Sequence, residues 1–600
     1  MPDILPSMPD HAVHRALPAQ AELRAGEQNQ PHVGDPAGGS FQKGTACFMS
    51  ALERTSSAVA DSLFGFTLRP AQEEAVQAVV DGRDALAVLP TGSGKSAIYQ
   101  VAGMVIGGLT LVVSPLIALQ RDQLRSITGR RNGSRPVKAA LLNSAQPVRG
   151  RRETLGLLAR GDLDFLLIGP EQLANDETAA AVRTGARTVG LFCVDEAHLV
   201  SEWGQEFRPE YLRLVDVLTD LGRPPVLALT ATASPPVQSD ITRRLGMRMP
   251  HVVVGDFDRP NISLAMRYTE PASTEAQAVD DRCVDVLMQH KTPALVYALT
   301  HARCEALADR LQLKGLRAAP YHGGLPTRTR SSVQDAFFAG SLDVVVATSA
   351  FGLGVDKPDI RTVVHAGVPA SIDDYYQEIG RAGRDGQPAT AILVHDARTI
   401  RIPRSLAART HLGESALHRV VDAMENAGCH IAVADLARSA DVPAHTVDRV
   451  VNELADMGIV QLHGSGRHRV LEPQRRPHHP AKLIGQLLTR DKRRQTVVAS
   501  RLDAARHYAE TTRCRRAELL AYFGETYTAP CGNCDNDGTP RGTPTYRPVV
   551  IDGGTPVRHR LWGEGHLLGQ DDHELLVYFA SAGYKHLTPS TLASGILQQT

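Results

Sequence analysis

Leu89-Pro90-Thr91-Gly92-Ser93-Gly94-Lys95-Ser96 follows the apolar run Ala85–Leu89 and opens a helix, and its reading decides the fold. The glycines let the backbone curl until its N–H groups face phosphate oxygens at the helix N-terminus, where the dipole favours negative charge. Thr91, Gly92, Ser93 and Gly94 form that cradle. Lys95 sets a point charge on the β- and γ-phosphates, and the Ser96 hydroxyl is placed to ligate Mg²⁺. A strand, a phosphate loop and a helix in this order belong to a parallel α/β sheet with ATP in its crevice.

Outward from this loop the same alternation continues. Short β-branched or apolar runs at Leu111–Val113, Phe165–Ile168, Leu191–Val194, Val226–Leu229, Ala294–Tyr297, Val344–Ala347 and Thr362–His365 are separated by amphipathic helical stretches as far as about Asp396. Strands this apolar are buried on both faces, which is the signature of parallel sheets covered by helices. About 300 residues exceed one such layer. We therefore expect two tandem RecA-like domains, 49–257 and 258–396, joined near Phe257-Asp258-Arg259-Pro260-Asn261.

Two further stretches complete the chemistry. Leu191-Phe192-Cys193-Val194 ends in Asp195-Glu196-Ala197-His198. Asp195 at the strand tip suits Mg²⁺ through its water shell, and Glu196 suits orientation and deprotonation of the attacking water. In the second domain, Gln377-Glu378-Ile379-Gly380-Arg381-Ala382-Gly383-Arg384 sets two arginines three residues apart on one face of a helical turn. Arg384 suits an arginine finger across the domain cleft, with Arg381 and Gln377 on the γ-phosphate. Hydrolysis would then drive closure and opening.

Composition narrows the class. Lys+Arg and Asp+Glu both number 65, so any basic footprint for nucleic acid is local. Eight cysteines in 600 residues do not make a disulfide scaffold. No apolar run reaches a membrane span, and the N-terminus shows no secretory pattern. These features predict a cytoplasmic protein without membrane contact.

Outside the α/β region the texture changes. Residues 1–48, rich in Pro, Gly, Gln and Ala without periodicity, are expected to be disordered. Residues 397–472 read as helices followed by a hairpin: Ala432–Ala440, a Val442-Pro443 turn, His445–Met457, then two strands flanking Gly464-Ser465-Gly466. That is a winged helix-turn-helix pattern, with a helical spacer as the alternative. Arg467 to Arg516 holds fourteen Lys/Arg against four Asp/Glu, expected to track phosphates rather than form a merely solvated face. Residues 473–540 hold Cys514, Cys531 and Cys534, and 541–600 read as short strands of a small β-barrel.

Together these pieces resemble superfamily-two helicases and, within them, the RecQ DNA helicases. The resemblance covers about Phe64 to Gly386 and a second patch around the cysteines. The family relaxes the strict phosphate-loop pattern, which has Gly where Leu89 stands. Phe64-Gly65 with Leu68-Arg69-Pro70-Ala71-Gln72 is similar to the family's adenine-reading motif, one residue shorter here. It implies Gln72 on adenine N6 and N7 and Arg69 on the ring. Ser114-Pro115-Leu116-Ile117-Ala118-Leu119, Thr230-Ala231-Thr232-Ala233 and Ala347-Thr348-Ser349-Ala350-Phe351-Gly352-Leu353-Gly354-Val355-Asp356 resemble motifs Ia, III and V. They imply DNA contacts at Ser114 and Thr348 and a nucleotide contact at Asp356. Ser201-Glu202-Trp203-Gly204-Gln205-Glu206-Phe207-Arg208-Pro209-Glu210-Tyr211 resembles the RecQ aromatic-rich loop, where Trp203, Phe207 and Arg208 would stack on bases of a single strand. Gln205 stands where the family usually has His.

The cysteines repeat the family's zinc spacing, but the expected fourth Cys is Asp537. Zn²⁺ accepts a carboxylate, so the implied site is Cys514, Cys531, Cys534 and Asp537, with His507 as the other candidate for the fourth position. The metal would be structural, stapling a helical hairpin. The winged pattern precedes the cysteines here, whereas the family runs core, zinc, winged helix. Val557-Arg558-His559-Arg560-Leu561-Trp562-Gly563-Glu564-Gly565-His566 and the strands after it look like the Tudor-like tail of UvrD-type helicases. That tail implies a nucleic-acid, RNA polymerase or other protein partner, or a cap with none. The resemblance implies an ATP-dependent helicase moving 3′ to 5′ on DNA (single-stranded, forked or overhang duplex) in repair or recombination, using ATP, Mg²⁺ and Zn²⁺. An RNA helicase, a translocase that does not unwind, and a binding protein with a decayed motor are the competing classes.

Overall fold

In a computed structural model the described residues are 55–132, 135–173, 175–201, 211, 214–269, 275–352, 356–396, 412–427, 430–463, 469–474, 479–525, 527–537, 555–570 and 574–599. The expected disordered segment 1–48, the loop carrying Trp203, Phe207 and Arg208, the hairpin tip Gly464–Gly466 and Leu353–Val355 lie outside them.

The first domain is a seven-stranded parallel sheet in the order Ala139–Leu142, Phe165–Ile168, Leu109–Val113, Val189–Val194, Val226–Thr230, Ala85–Val88, His251–Val254. Its central strands are buried from end to end, as both-face helical cover requires. Three neighbouring strands end together. Val88 leads into the phosphate loop, Val194 into Asp195 and Thr230 into Thr232, so three motifs far apart in sequence meet at one sheet edge.

The second domain is a six-stranded parallel sheet, Ile262–Tyr268, Ala389–His395, Thr362–Ala366, Ala294–Ala298, Val344–Ala347, Ala318–Tyr321. Helix Ile372–Ile379 follows the Thr362–Ala366 strand and carries Gln377 toward the first domain. The junction is aromatic. Phe257 stacks on Phe523 at 4.7 Å and meets Tyr376 edge-on, whose hydroxyl donates to the Phe257 carbonyl at 2.8 Å.

Helix Glu414–Ala427 leads into the short strand Ile431–Ala432, helices Val433–Ala440 and Ala444–Asp456 follow, and strands Val460–His463 and Val470–Pro473 complete a three-stranded antiparallel sheet with Val470–Pro473 in the middle. This is the element order that a winged helix requires. The 31-residue helix Pro480–Glu510 and the short helix Arg515–Tyr522 form the hairpin of the cysteine region. The loop after them docks on the second α/β sheet through backbone hydrogen bonds. Leu264 N–H donates to Asn533 O at 3.2 Å, Asp535 N–H to Leu264 O at 3.1 Å, and Met266 N–H to the Asp535 carboxylate at 2.6 Å. Residues 533–535 thus cover the open flank of edge strand Ile262–Tyr268.

The C-terminal strands form an antiparallel sheet, Gly583–Leu587, Leu575–Phe579, Gly563–Gln570, Thr555–His559, Leu597–Gln599. Its two outer strands are not paired with each other among the described residues, so the expected barrel stands here as an open ladder. The sheet meets the first domain directly and the second through Tyr522. The Tyr584 hydroxyl meets Ser234 Oγ of the first domain at 2.6 Å, and its ring stacks on Tyr522 at 5.0 Å. Tyr522 in turn donates to Asp373 of the second domain at 2.7 Å. No described helix is long and apolar enough to cross a membrane.

Candidate functional site

The phosphate loop faces the second domain across a cleft of about 460 Å³, lined by Thr91, Gly94, Lys95, Asp195, Arg381 and Arg384 among others, a size that suits a nucleotide. Gly92 has φ +80°, a conformation that favours glycine, and the Arg384 side chain lies over it, its Cγ 3.6 Å from where a Cβ would stand. A Cβ at Gly380 would collide with Thr91 Oγ1, so the two jaws touch. The buried hydroxyls of Thr91 and Ser93 have no hydrogen-bond partner among the described residues. Such orphaned donors, with Lys95 and a helix N-terminus, fit a phosphate chain.

Lys95 donates to the carbonyls of Leu89 and Pro90 at 3.1 and 3.3 Å. Burial pulls its ammonium down, while Glu196 and Asp195 push it back up. Asp195 is buried and accepts from Gln123 Nε2 at 2.9 Å. Burial raises its carboxyl to about 6, with Glu196 adding to the rise and Gln123 and Lys95 opposing it. Glu196 sits at φ +51°, in the left-handed region that a residue with a side chain seldom adopts; backbone strain of this kind gathers at working sites. Its Oε2 lies 3.4 Å from His198 Nδ1, which in turn meets Thr230 Oγ1 at 3.0 Å.

The opposite jaw brings the remaining expected residues. Gln377 Nε2 donates to Thr232 Oγ1 at 3.0 Å, linking the second domain to the first. Arg381 is buried and lines the cleft, and Arg384 pairs with the exposed Asp356. Burial lowers Arg384, Arg381 adds to that, and Asp356 opposes it. Arg384 and Asp356 therefore stand at the cleft together.

Other expected residues are placed differently from their implied tasks. Gln72 is buried, with its amide donating to Ser93 O and Gly94 O at 2.7 and 3.1 Å and accepting from Arg69 N–H at 2.8 Å. Its hydrogen bonds serve the phosphate loop, while the Arg69 side chain stands exposed beside it. Ser114 is fully buried, its hydroxyl without a partner among the described residues, and offers no surface to a DNA strand. Thr348 caps the turn Ser349–Phe351 by accepting from Ala350 N–H.

Sequence reasoning missed Arg259. Its guanidinium donates to Gly380 O, Ala382 O and Gly383 O at 3.1, 2.9 and 3.1 Å, and to Thr91 O at 3.4 Å. It fastens the arginine-bearing turn to the phosphate loop. The only signal for it was a lone arginine in the interdomain joint. Gln123, two turns into helix Ile117–Ile127, was also unforeseen because its partner lies 72 residues away.

The expectation of a phosphate-tracking basic run needs correction. Arg501, Arg515 and Arg516 are buried, and their partners are Asp373, Asp535 and Asp258. Arg469, Arg490 and Arg513 also pair with acids. Among its described residues, Arg490, Arg501, Arg513 and Arg516 bridge to other parts of the chain, Arg469 and Arg515 pair within their own regions, and Lys482, Lys492, Arg493 and Arg506 are exposed.

Cys514, Cys531, Cys534 and Asp537 converge, with one ligand atom of each within 4.8 Å of the others. Asp537 accepts from Cys531 N–H and Cys534 N–H at 3.2 and 2.9 Å, and the Cys531 thiol lies 3.1 Å from its Oδ2. Burial would raise the Asp537 carboxyl, but these hydrogen bonds outweigh it and hold it low. Hydrogen bonding from Cys514 draws Cys534 down to about 6. Three sulfurs and an ionised carboxylate in reach of one point fit Zn²⁺. His507 is not in this group; it lies with Glu574 and His586.

Residues 69–240 match the DEAD/DEAH box helicase family, 278–386 the helicase conserved C-terminal domain, and 479–537 the RecQ zinc-binding domain. An ATP-dependent DNA helicase RecQ from Pasteurella multocida is 34% identical over 485 residues, covering 81% of this chain and 62% of its own length. The RecQ helicase of Haemophilus influenzae is 33% identical, over 80% of this chain and 63% of its own length. The chain thus spans a little under two thirds of these two relatives. A probable ATP-dependent DNA helicase RecS from Bacillus subtilis is 33% identical over 473 residues, 78% of this chain and 88% of its own length. Identity sustained along nearly the whole of that relative, with the zinc-binding match falling on the Cys514–Asp537 cluster, shows that the chain belongs to the RecQ family of ATP-dependent DNA helicases.

Proposed function

We propose that this protein is an ATP-dependent DNA helicase that moves 3′ to 5′ along single-stranded DNA and separates duplexes, in DNA repair or recombination. One observation carries the reading: a phosphate loop and an acidic pair on one parallel sheet are faced, across a single cleft, by an arginine from a second sheet. A site split between two bodies can convert nucleotide chemistry into relative motion.

The residues divide the work. The loop from Thr91 to Ser96 holds the phosphates by backbone N–H groups, and Lys95, released from the carbonyls of Leu89 and Pro90, binds the β/γ-phosphates. Asp195 and Ser96 would hold Mg²⁺, which shields phosphate charge. Glu196 accepts the proton of the attacking water, with His198 beside its carboxylate. Arg384 leaves Asp356 to meet transition-state charge, and Gln377 and Arg381 close behind it. Gln72 reads adenine by exchanging its phosphate-loop bonds, which would tie base recognition to loop geometry. Trp203, Phe207 and Arg208 sense the DNA strand, with Thr348 contributing once the jaws close. The C-terminal sheet would meet RNA polymerase or another partner on a face away from Tyr584.

Strand displacement on forked DNA, 3′- and 5′-overhang DNA and RNA duplexes tests this. The expected result is ATP-dependent opening of 3′-overhang and forked DNA, lost in Lys95→Ala and Glu196→Gln, with ATP and DNA binding kept in the second. Opening of RNA alone, or DNA-stimulated turnover in either variant, overturns the reading.

A further inference from the structure

A second group of metal-ligating side chains lies outside the cysteine cluster. His507 stands in the last turn of helix Pro480–Glu510, Glu574 immediately precedes strand Leu575–Phe579, and His586 lies in the neighbouring strand. Their convergence follows from register. His586 pairs opposite Leu576, so Glu574, two residues back, is its diagonal neighbour on the same face. One ligand atom from each of the three lies within 4.8 Å of the others. His586 Nδ1 is 2.8 Å from Glu574 Oε1, and His507 Nε2 is 3.5 Å from Glu574 Oε2.

The surroundings resemble a binding site more than ordinary packing. The side chains are 34, 19 and 25% exposed for His507, Glu574 and His586. The Nε2 atoms of both histidines are shielded from solvent and make no hydrogen bond among the described residues. Buried polar atoms are nearly always paired, whereas His507 Nε2 has only the long 3.5 Å approach to Glu574 and His586 Nε2 has no hydrogen bond among the described residues. The rings lie close, 3.9 Å between centroids and tilted by 30°, a spacing that disfavours two imidazolium charges. Arg513 touches Glu574 at 3.1 Å, but it is shared with Glu518 at the same distance.

We propose that His507, Glu574 and His586 form a second divalent-cation site, selective for Zn²⁺ or an ion of similar preference, that fastens the C-terminal sheet to the long helix of the zinc-binding region. Two imidazoles and one carboxylate are a donor set that zinc takes with its fourth position open to water. The ligands come from a helix and a sheet far apart in sequence, so binding the ion lowers the free energy of the docked arrangement. Docking also holds Tyr584 on Ser234 and on Tyr522, so the ion would steady the contact of this sheet with the motor.

The test counts metal in the full-length protein, equilibrated with Zn²⁺ and desalted. A mercurial thiol reagent releases zinc held by cysteines, and a chelator then releases the rest. The wild-type chain is expected to yield about one zinc in each step. His586→Gln, His507→Gln and the isosteric Glu574→Gln should keep the mercurial-released zinc, which reports an intact fold, and weaken retention of the second more than tenfold. Zn²⁺ added to protein already filled at the cysteines should raise the melting temperature of the wild type and not of these variants. A single zinc per wild-type chain under saturation, or a second zinc undiminished in all three variants, overturns the proposal.

Discussion

Removing the Arg259 guanidinium tests whether the arginine-bearing turn must be fastened for chemistry to occur. Three of its acceptors, Gly380, Ala382 and Gly383, lie at 2.9–3.1 Å in the turn that carries Arg381 and Arg384, and the fourth, Thr91, is a longer contact at 3.4 Å. Hydrogen bonds with one charged partner contribute about 1.5–3 kcal/mol each, and truncation also strands the carbonyls. Against this stands the cost of keeping a cation mostly buried, which already lowers Arg259. A net loss on the order of 3 kcal/mol in holding the turn follows, and if it is felt in the transition state, turnover falls on the order of 10². Because the weakest contact is the one to the phosphate loop, the KM for ATP should stay within a few-fold. Lysine at this position keeps the charge but cannot span the acceptors, so Arg259→Lys should recover little. DNA-stimulated phosphate release, measured across ATP concentrations for both variants, decides it. Arg259→Ala turning over within about threefold of the parent, or full recovery with lysine, would refute the clamp.

Other outcomes follow from neighbouring groups. Arg384→Ala should reduce turnover on the order of 10³ with nucleotide affinity nearly unchanged; stopped-flow binding and steady-state rates separate the two. Burial raises Glu525 to about 7 although it accepts from the Phe257 N–H, with Asp256 and Asp258 adding to the rise. A raised carboxyl gives stability that is complete below its unfolded value of 4.5 and is lost as pH climbs through about 7. After discounting its partial exposure this is on the order of 1–2 kcal/mol, so melting temperature should fall between these pH values in the parent and stay flatter in Glu525→Gln. Asp537→Ala should release cysteine-bound zinc to a chelator at least tenfold faster and Asp537→Cys more slowly, followed with a colorimetric zinc indicator.

Much of the site was legible because its chemistry is local in sequence. A phosphate loop, two adjacent acids and paired arginines each fit within a few residues, and sheet topology alone brings their strand ends together. What escaped depends on distant contacts. Arg259 acts through carbonyls more than 100 residues away, and carbonyls carry no residue identity to read. The basic run misled for a related reason. Charge is visible in composition, but whether an arginine faces solvent or an aspartate such as Asp258 or Asp373 depends on packing. Gln72 shows the same limit, since one amide can serve a base or a loop and its sequence neighbourhood is identical for both. The zinc spacing was readable, whereas the separation of His507 from it was not, because Glu574 and His586 arrive from the far end of the chain.

The cover that residues 533–535 give to strand Ile262–Tyr268 bears on how the protein behaves in a tube. Those residues sit between Cys531 and Asp537, so gathering the ligands helps to hold the loop in shape. If the loop lifts away, one flank of the second sheet presents unpaired backbone donors and acceptors, and an exposed edge of this kind recruits strands from other molecules. Chelated protein would then self-associate, and turbidity or light scattering should rise before motor activity declines. Zinc would therefore act here as a guard on solubility, and activity lost on metal removal at high protein concentration would reflect precipitation as much as a weaker hold on DNA.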